Sequence, residues 1–168
     1  AYETNFGPSV RTYWEHRNLF GGAQRLRVEA EVARIGTDGA ISQMTYRGGV
    51  TYRDPGLFGR DLTLVANLFI LRERLNAYDR DAIGGSVLFE QRLSERLFVQ
   101  AGPTVDFGSS GPPDGSLTAY QIAGVTFGGR YDGTDSLLDP SRGWRLNGAL
   151  TPSWSFSTDA PFAPLRAT

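Results

Sequence analysis

The sequence predicts an all-β fold: a transmembrane, antiparallel, up-and-down β-barrel with about eight strands in this chain. Three observations predict it: hydrophobicity with a period of two, strands of about ten residues or more, and turn signals at nearly uniform spacing. In residues 25–32 every even position is apolar and every odd one is charged. A strand presents such residues on opposite faces, whereas a helix would spread the charges around its circumference.

The elements follow in order along the chain. Strands are predicted at 9–17, 24–35, 41–53, 62–75, 83–93, 97–107, 119–131 and 144–156. Alternation is clearest in the second, third, sixth and eighth of them. Stretches rich in Gly, Pro, Asn, Asp and Ser separate the strands. They lie at 18–22, 36–39, 54–56, 76–81, 94–96, 108–116 and 132–143, and we expect 108–113 to be a mobile loop. No linker interrupts this pattern, so one segment spanning 1–168 is expected.

Composition narrows the function classes. The 17 basic residues, all arginines, nearly balance 18 acidic ones, so no concentrated basic face predicts a nucleic-acid partner. The absence of cysteine excludes disulfides and thiolate metal sites. The longest apolar stretch, 62–71, is shorter than the roughly 20 residues of a membrane helix. Residues 1–4 do not resemble a signal peptide, so a mature or excised segment is expected.

The alternation assigns each strand an apolar and a polar face. An apolar face framed by aromatics suits lipid, and a face with large charges of both signs suits a barrel lumen. The predicted lipid-facing residues are Leu26, Val28, Ala30, Val32, Leu62, Leu64, Leu68, Val99, Val105, Leu146 and Leu150. The predicted lumen-facing residues are Arg25, Arg27, Glu29, Glu31, Arg47, Arg53, Asp106, Arg145 and Asn147. Leu71 and Leu88 on the lumen face, and Gln91 on the lipid face, depart from the rule.

Three turns carry a family resemblance. Residues 14–23, 52–61 and 131–144 resemble, in order and spacing, turns on one side of the TamA- and BamA-like assembly barrels, and the TamA branch fits best. The resemblance covers nearly the whole chain, whose eight strands would be the second to ninth of sixteen. It implies that the turns at 18–23, 54–61, 94–96 and 132–143 face the periplasm, and that 36–40, 76–82 and 108–118 face outside.

The resemblance also implies a function. Such barrels help to insert or secrete other outer-membrane proteins in Gram-negative-type bacteria, without enzymatic chemistry or a cofactor. The expected partners are membrane lipid, the rest of a larger barrel, periplasmic domains and client outer-membrane proteins. The family's periplasmic repeat domains and its Val-Arg-Gly-aromatic loop have no counterpart in these 168 residues.

Two groups of residues suggest chemistry and are better explained structurally. The carboxylates in the 132–143 turn do not have the spacing of a calcium loop. We expect a structural turn formed by Asp132, Asp135, Asp139, Pro140, Arg142 and Gly143. The single histidine, His16, could serve a hydrolase with Ser9, Ser42 or Ser86, but no nucleophile elbow surrounds these serines. We therefore predict no catalytic, cofactor or metal site.

Three alternatives to the assembly barrel stay open at this point. Eight strands can close by themselves into a small structural or pore-forming barrel. A two-partner secretion transporter of the same superfamily would export its client instead of inserting it. A soluble β-sandwich or lipocalin-like binder also alternates, with its apolar face inside.

Overall fold

The computed structural model describes residues 2–3, 7–33, 44–57, 61–75, 77–113, 115–134 and 142–167. These residues form strands joined by turns. No helix in the described part of the chain is long and apolar enough to cross a membrane. The strands are β1 (Tyr2–Glu3), β2 (Gly7–Pro8), β3 (Val10–Arg17), β4 (Arg25–Ala33), β5 (Thr45–Pro55), β6 (Leu62–Arg74), β7 (Asp79–Arg92), β8 (Leu97–Gly111), β9 (Thr118–Asp132), β10 (Arg145–Leu150), β11 (Ser153–Ser155), β12 (Ala160–Phe162) and β13 (Leu165–Ala167).

From β3 onward the strands form a single antiparallel sheet in which each strand pairs with its neighbour along the chain. This is the predicted up-and-down order. β10 and β11 both pair with β9, in one continuous register, and so act as one interrupted strand. β12 and β13 pair with them and form a second interrupted strand that returns along the sheet. The small β1–β2 hairpin forms a separate sheet.

The sheet is open. Within the described ranges β3 pairs only with β4, and the strand formed by β12 and β13 pairs only with β10 and β11. The first and last strands therefore do not pair with each other, as they would in a self-contained closed barrel.

The eight predicted strands are all present, and the fold class is confirmed, but a ninth strand was missed. Pro161 and Pro164 lie within the eight residues of that strand, and proline weakens a strand prediction because it cannot donate to a ladder. Two other strands are longer than predicted. The sequence 79–82 was assigned to a turn and 108–111 to a loop, yet both are paired strand, with Asp79 opposite Gly111 and Ala82 opposite Gly108. Parts of the predicted second and third strands, at 34–35 and 41–43, lie outside the described residues.

Turn chemistry explains where the chain reverses between β3 and β4. Asn18 (φ 66°), Gly21 (φ 87°) and Ala23 (φ 63°) occupy the left-handed region between β3 and β4. The Asn18 side chain compensates by accepting a hydrogen bond from the Ala23 N–H at 2.8 Å. Asn is one of the few residues with a side chain that tolerates this conformation. The turn therefore fixes the β3–β4 register, in which Val28 lies opposite Trp14.

The register makes a direct prediction. Val28 and Val50 are direct cross-strand partners, so their Cα atoms are about 4.5–5.5 Å apart. That distance lies within the range of a disulfide. We expect the double variant V28C/V50C to form an intramolecular disulfide in high yield, scored by gel mobility with and without reductant. The control V28C/T51C, in which the second cysteine is on the other face, should stay reduced. Equal crosslinking of both pairs would contradict the register.

Candidate membrane and lumen surfaces

One face of the sheet is almost entirely apolar. Following the partners from strand to strand, Val28 meets Val50, Val50 meets Leu68, and Leu68 meets Gly85. The row continues through Val105 and Ala123. The register places every residue of the predicted lipid-facing set on this face: Leu26, Val28, Ala30, Val32, Leu62, Leu64, Leu68, Val99, Val105, Leu146 and Leu150. We call it the apolar face.

Nothing in the described part of the chain covers the apolar face. Leu68 is 64% exposed, Ile70 58% and Phe127 51%. Among the described residues the only buried hydrophobic side chains are Val65 and Ala82, and both lie on the opposite face. A soluble sandwich buries its apolar face against a second sheet, whereas β3 to β13 form a single layer in the described part of the chain. The sandwich alternative is therefore wrong.

Polar rows limit the apolar face at both ends. On β6 it runs from Leu62 to Ile70, which is about 26 Å along a strand and about 20 Å in height at a tilt of about 40°. Transmembrane barrels carry an apolar band about 25 Å tall. Beyond one end, Arg74 binds Asp81 at 2.8 Å, and Asp79 lies 3.8 Å from the Arg74 Nε. Gln91, opposite Leu62, lies in the row at the other end.

Aromatic side chains are distributed over the apolar face. Strand aromatics on this face are Trp14, Tyr46, Tyr52, Phe89, Phe107, Phe127, Tyr131 and Trp154. The Tyr131 and Trp144 rings pack with their centroids 4.8 Å apart at one end. The Tyr78 hydroxyl lies 3.4 Å from the Glu73 carboxylate on the opposite face.

The opposite face carries the charges. All nine residues of the predicted lumen-facing set lie on it: Arg25, Arg27, Glu29, Glu31, Arg47, Arg53, Asp106, Arg145 and Asn147. We call it the charged face. Side chains on β3 and β4 pair across the two strands: Glu29 contacts Arg11 at 3.0 Å and Arg27 at 3.3 Å.

A second ion-pair cluster on this face spans β4 to β6. Arg47 donates to Glu73 at 2.7 Å and lies 3.9 Å from Glu31. Glu73 is 9% exposed and also accepts from the Tyr78 hydroxyl. Burial of a carboxylate costs free energy unless it is paired and hydrogen-bonded. The buried Glu73 carboxylate therefore depends on its donors Arg47 and Tyr78.

A third cluster links β7, β8 and β9. Arg80 donates to Asp106 at 2.5 Å and to the Tyr120 hydroxyl at 2.7 Å, and Tyr120 donates to Asp106 at 3.0 Å. Towards the opposite end of the same face, Arg53 pairs with Glu90 at 2.7 Å. The sequence prediction missed Arg80, Tyr120 and Glu90, because a residue's cross-strand partner depends on a register that periodicity alone does not give.

The middle of the charged face is weakly polar. Leu71 and Leu88, which depart from the alternation, do lie on this face, together with Val65 and Phe69. The Phe69 ring covers Gly84: a Cβ there would meet the ring at 2.6 Å. The Phe69 ring therefore packs on the backbone of β7 at Gly84.

At the described start of the predicted 132–143 turn, side-chain hydrogen bonds join Asp132 to Thr134 and Arg145. Asp132 accepts from the Thr134 backbone N–H at 3.2 Å and from its hydroxyl at 2.6 Å, and it pairs with Arg145 at 2.9 Å. Gly143 has φ 104°, a conformation that favours glycine. Asp135, Asp139 and Pro140 lie outside the described residues. In the parts that are described, no group of three or more His, Cys, Asp or Glu could hold a metal ion.

The catalytic candidates are far apart. His16 lies on the apolar face of β3, with its ring 5.9 Å from that of Trp14. Ser86 is four strands away on β7, about 19 Å at the spacing of neighbouring strands. Ser9 lies on the same strand at a separation of about 23 Å. Ser42 lies outside the described residues. The structure brings no described serine to His16.

A single-layer meander with an uncovered apolar face and an ion-paired charged face defines the wall of a transmembrane β-barrel. The Omp85 superfamily domain matches residues 18–165, which is 148 of the 168 residues. The chain therefore belongs to the Omp85 superfamily, the outer-membrane barrels of Gram-negative bacteria to which the BamA- and TamA-like proteins belong. Members act in protein assembly and secretion, as transport factors rather than enzymes. No curated protein matches the chain.

The buried carboxylate of Glu73 predicts a measurable effect. We expect Glu73→Gln to lower the free energy of unfolding by about 1–3 kcal/mol, because it removes a charge-assisted hydrogen bond to Arg47. The matched control is Glu29→Gln, whose side chain is 37% exposed. It should cost less than about 1 kcal/mol. Urea unfolding in lipid vesicles measures both. An equal cost for the two variants would contradict the importance of burial at Glu73.

Proposed function

We propose that this chain is a wall segment of a TamA-type barrel that helps to fold, insert or secrete other outer-membrane proteins. The observation that carries the proposal is the uncovered apolar face of a single-layer meander inside an Omp85 match. The three turns at 14–23, 52–61 and 131–144 support the TamA branch within the superfamily. The barrel acts without chemistry of its own and needs no cofactor or metal.

In this proposal the apolar face meets lipid and the charged face lines the lumen. The free energies favour that orientation strongly. An arginine on the lipid face at mid-bilayer costs about 2–4 kcal/mol, and the charged face carries Arg25, Arg27, Arg47 and Arg53. Lipid in contact with the apolar face would supply the cover that the chain itself does not.

The turns at 18–23, 54–61, 94–96 and 132–143 would then face the periplasm, and the segments at 36–40, 76–82 and 108–118 the outside. The meander supports this assignment, because successive turns alternate between the two ends of the sheet. The polar row that contains Arg74 and Asp81 would lie at the outer headgroups. Periplasmic domains would approach from the end that carries Trp144.

The activity would come from a sheet edge. In lipid, an unpaired strand edge is costly because its N–H and C=O groups have no water to bind, and such an edge is a template for an incoming strand. The open sheet of this chain needs further strands to complete a barrel. We propose that the rest of a larger barrel supplies those strands and the seam, and that client outer-membrane proteins pair there.

Two other functions are less well supported. A small closed barrel would require its first and last strands to pair, and in the described part of the chain they do not. A two-partner secretion transporter uses the same wall to export a client, and the number of its periplasmic domains would differ. The experiment on depleted cells described below separates export from insertion.

The lipid assignment predicts an asymmetry between two adjacent residues. Leu68 is on the apolar face and Asn67 on the charged face of β6. We expect Leu68→Arg to cost about 2–4 kcal/mol of unfolding free energy in bilayers, because it puts a charge into lipid. Asn67→Arg should cost about 1 kcal/mol, through its lost hydrogen bonds to Thr51 and Ser86. Reversible unfolding from vesicles measures both free-energy losses. A larger loss for Asn67→Arg than for Leu68→Arg would mean that the charged face meets lipid and the apolar face lines the lumen.

The assembly role predicts the phenotype of cells depleted of the full-length protein. We expect the fraction of folded outer-membrane proteins, or the surface display of secreted ones, to fall severalfold by a heat-modifiability assay, while outer-membrane lipoproteins stay constant as the control. Expression of residues 1–168 alone should not restore it. Loss of one exported client with all resident barrels folded normally would indicate a secretion transporter. Unchanged folding and export would contradict both roles.

A further inference from the structure

Residues that weaken a β-ladder lie close together in this sheet, although they come from different strands. Pro103 on β8 pairs with Val125 on β9. The register of β10 and β11 places Pro152 opposite the same Val125, and the Val125 N–H donates to the Pro152 carbonyl at 3.0 Å. In the adjacent row, Thr151 donates to the Pro164 carbonyl at 3.2 Å. We call residues 87, 102–103, 125, 151–152 and 164 the proline line.

The pairing of β7 with β8 is interrupted where the proline line begins. Ser86 pairs with Thr104 and Phe89 pairs with Ala101, but no pairing is present for the two residues between them on each strand. Pro103 has no N–H to donate across this gap. At Gly102 an added Cβ would collide with the Val87 carbonyl oxygen, so the two backbones approach too closely for a side chain.

The next two strands are interrupted in the same rows. β10 ends at Leu150 and β11 begins at Ser153, although their register with β9 is continuous. Pro152 accepts from Val125 but cannot return a hydrogen bond to it. Pro164 likewise cannot donate to the Thr151 carbonyl, and the Ser153 hydroxyl donates to that oxygen at 3.0 Å instead.

The other half of the sheet has no such defect. The β4–β5, β5–β6 and β6–β7 ladders are paired at every position, from Arg25 opposite Arg53 to Arg74 opposite Asp79. Prolines are normally confined to edge strands or bulges because each removes a ladder hydrogen bond. Pro103, Pro152 and Pro164 lie in two adjacent rows, whereas Pro55 ends β5 in a paired position and Pro161 lies opposite Trp154.

The apolar face leaves room at the proline line. A depression of about 380 Å³ lies beside Pro103, lined on this face by Ala66, Leu68, Gly85, Val87, Pro103 and Val105. It leaves space on the apolar side of the gap between β7 and β8. On the charged face, the Thr126 and Thr151 hydroxyls are joined at 3.1 Å across the line and tie the two strands together.

We propose that the proline line is a bending line of the barrel wall. On β8, on β9 and on the interrupted strand β10–β11, the segment before the line changes its angle to the segment after it. The strands β4 to β7 stay straight. The strands remain joined, because Pro152 and Pro164 each still accept a hydrogen bond across the line, from Val125 and Thr151. The bending follows from the geometry of the β-ladders and does not depend on which client the barrel serves.

Amide hydrogen exchange in lipid nanodiscs, measured on the intact protein by NMR, tests the first consequence. Val125, Ala123 and Phe127 all lie on β9, opposite Pro152, Trp154 and Leu150. We expect the Val125 amide to exchange about tenfold faster than the other two, since its pair has one hydrogen bond instead of two. Pro152→Val should bring the three rates together. Equal rates for the three amides in the unmodified protein would overturn the proposal.

Distances between spin labels test the bending itself. The chain has no native cysteine, so labels are added at Gln121 and Gly129, which flank the line on β9. The matched control is Leu62 and Ile70 on β6, with the same separation and face but no proline beside it. We expect a broader distance distribution for the β9 pair than for the β6 pair. The double variant Pro103→Val/Pro152→Val should narrow the distribution of the β9 pair. Equal widths for the two pairs in unmodified protein would overturn the proposal even if the variants fail to fold.

Discussion

The strand register is the constraint on which the rest of this structure depends. Because side chains alternate between faces, one register decides which residue of every pair meets each side of a single-layer sheet. A slip by one residue between β4 and its neighbours would move Arg25, Arg27, Glu29 and Glu31 onto the apolar face. In lipid the two arginines alone would cost about 4–8 kcal/mol near mid-bilayer, which is comparable to a typical domain's margin of stability. The cost of placing charged side chains in lipid therefore specifies the register as much as the contacts between the strands do.

Ion pairing makes the charged face compatible with this constraint. Long arginines and glutamates on neighbouring strands meet because the register brings them opposite or diagonal to one another, as Arg47 does with Glu31 and Glu73. Arg80, Asp106 and Tyr120 repeat this arrangement over three strands. The pairs let a polar lumen wall hold bulky charges.

The strands and their faces could be predicted from the sequence, because alternation is a local property of each strand. The members of each predicted set share one face of the sheet. The partners could not be predicted: Glu73 with Arg47, and Arg80 with Tyr120, meet only through register. Asp79 and Asp81 resembled a turn because acidic residues are poor strand formers, yet cross-strand arginines hold Asp81 in a ladder. The ninth strand and the proline line were missed because local rules exclude proline from strands.

A transmembrane wall requires that the apolar face meets lipid and the charged face meets water. The most direct measurement labels single cysteines at consecutive positions 104–107 of β8 in native outer membranes with a membrane-impermeant maleimide. The account predicts that Thr104 and Asp106 positions react, whereas Val105 and Phe107 positions are protected and are quenched by brominated lipid when they carry a fluorophore. Uniform labelling of all four positions, without quenching by lipid, would contradict a transmembrane wall.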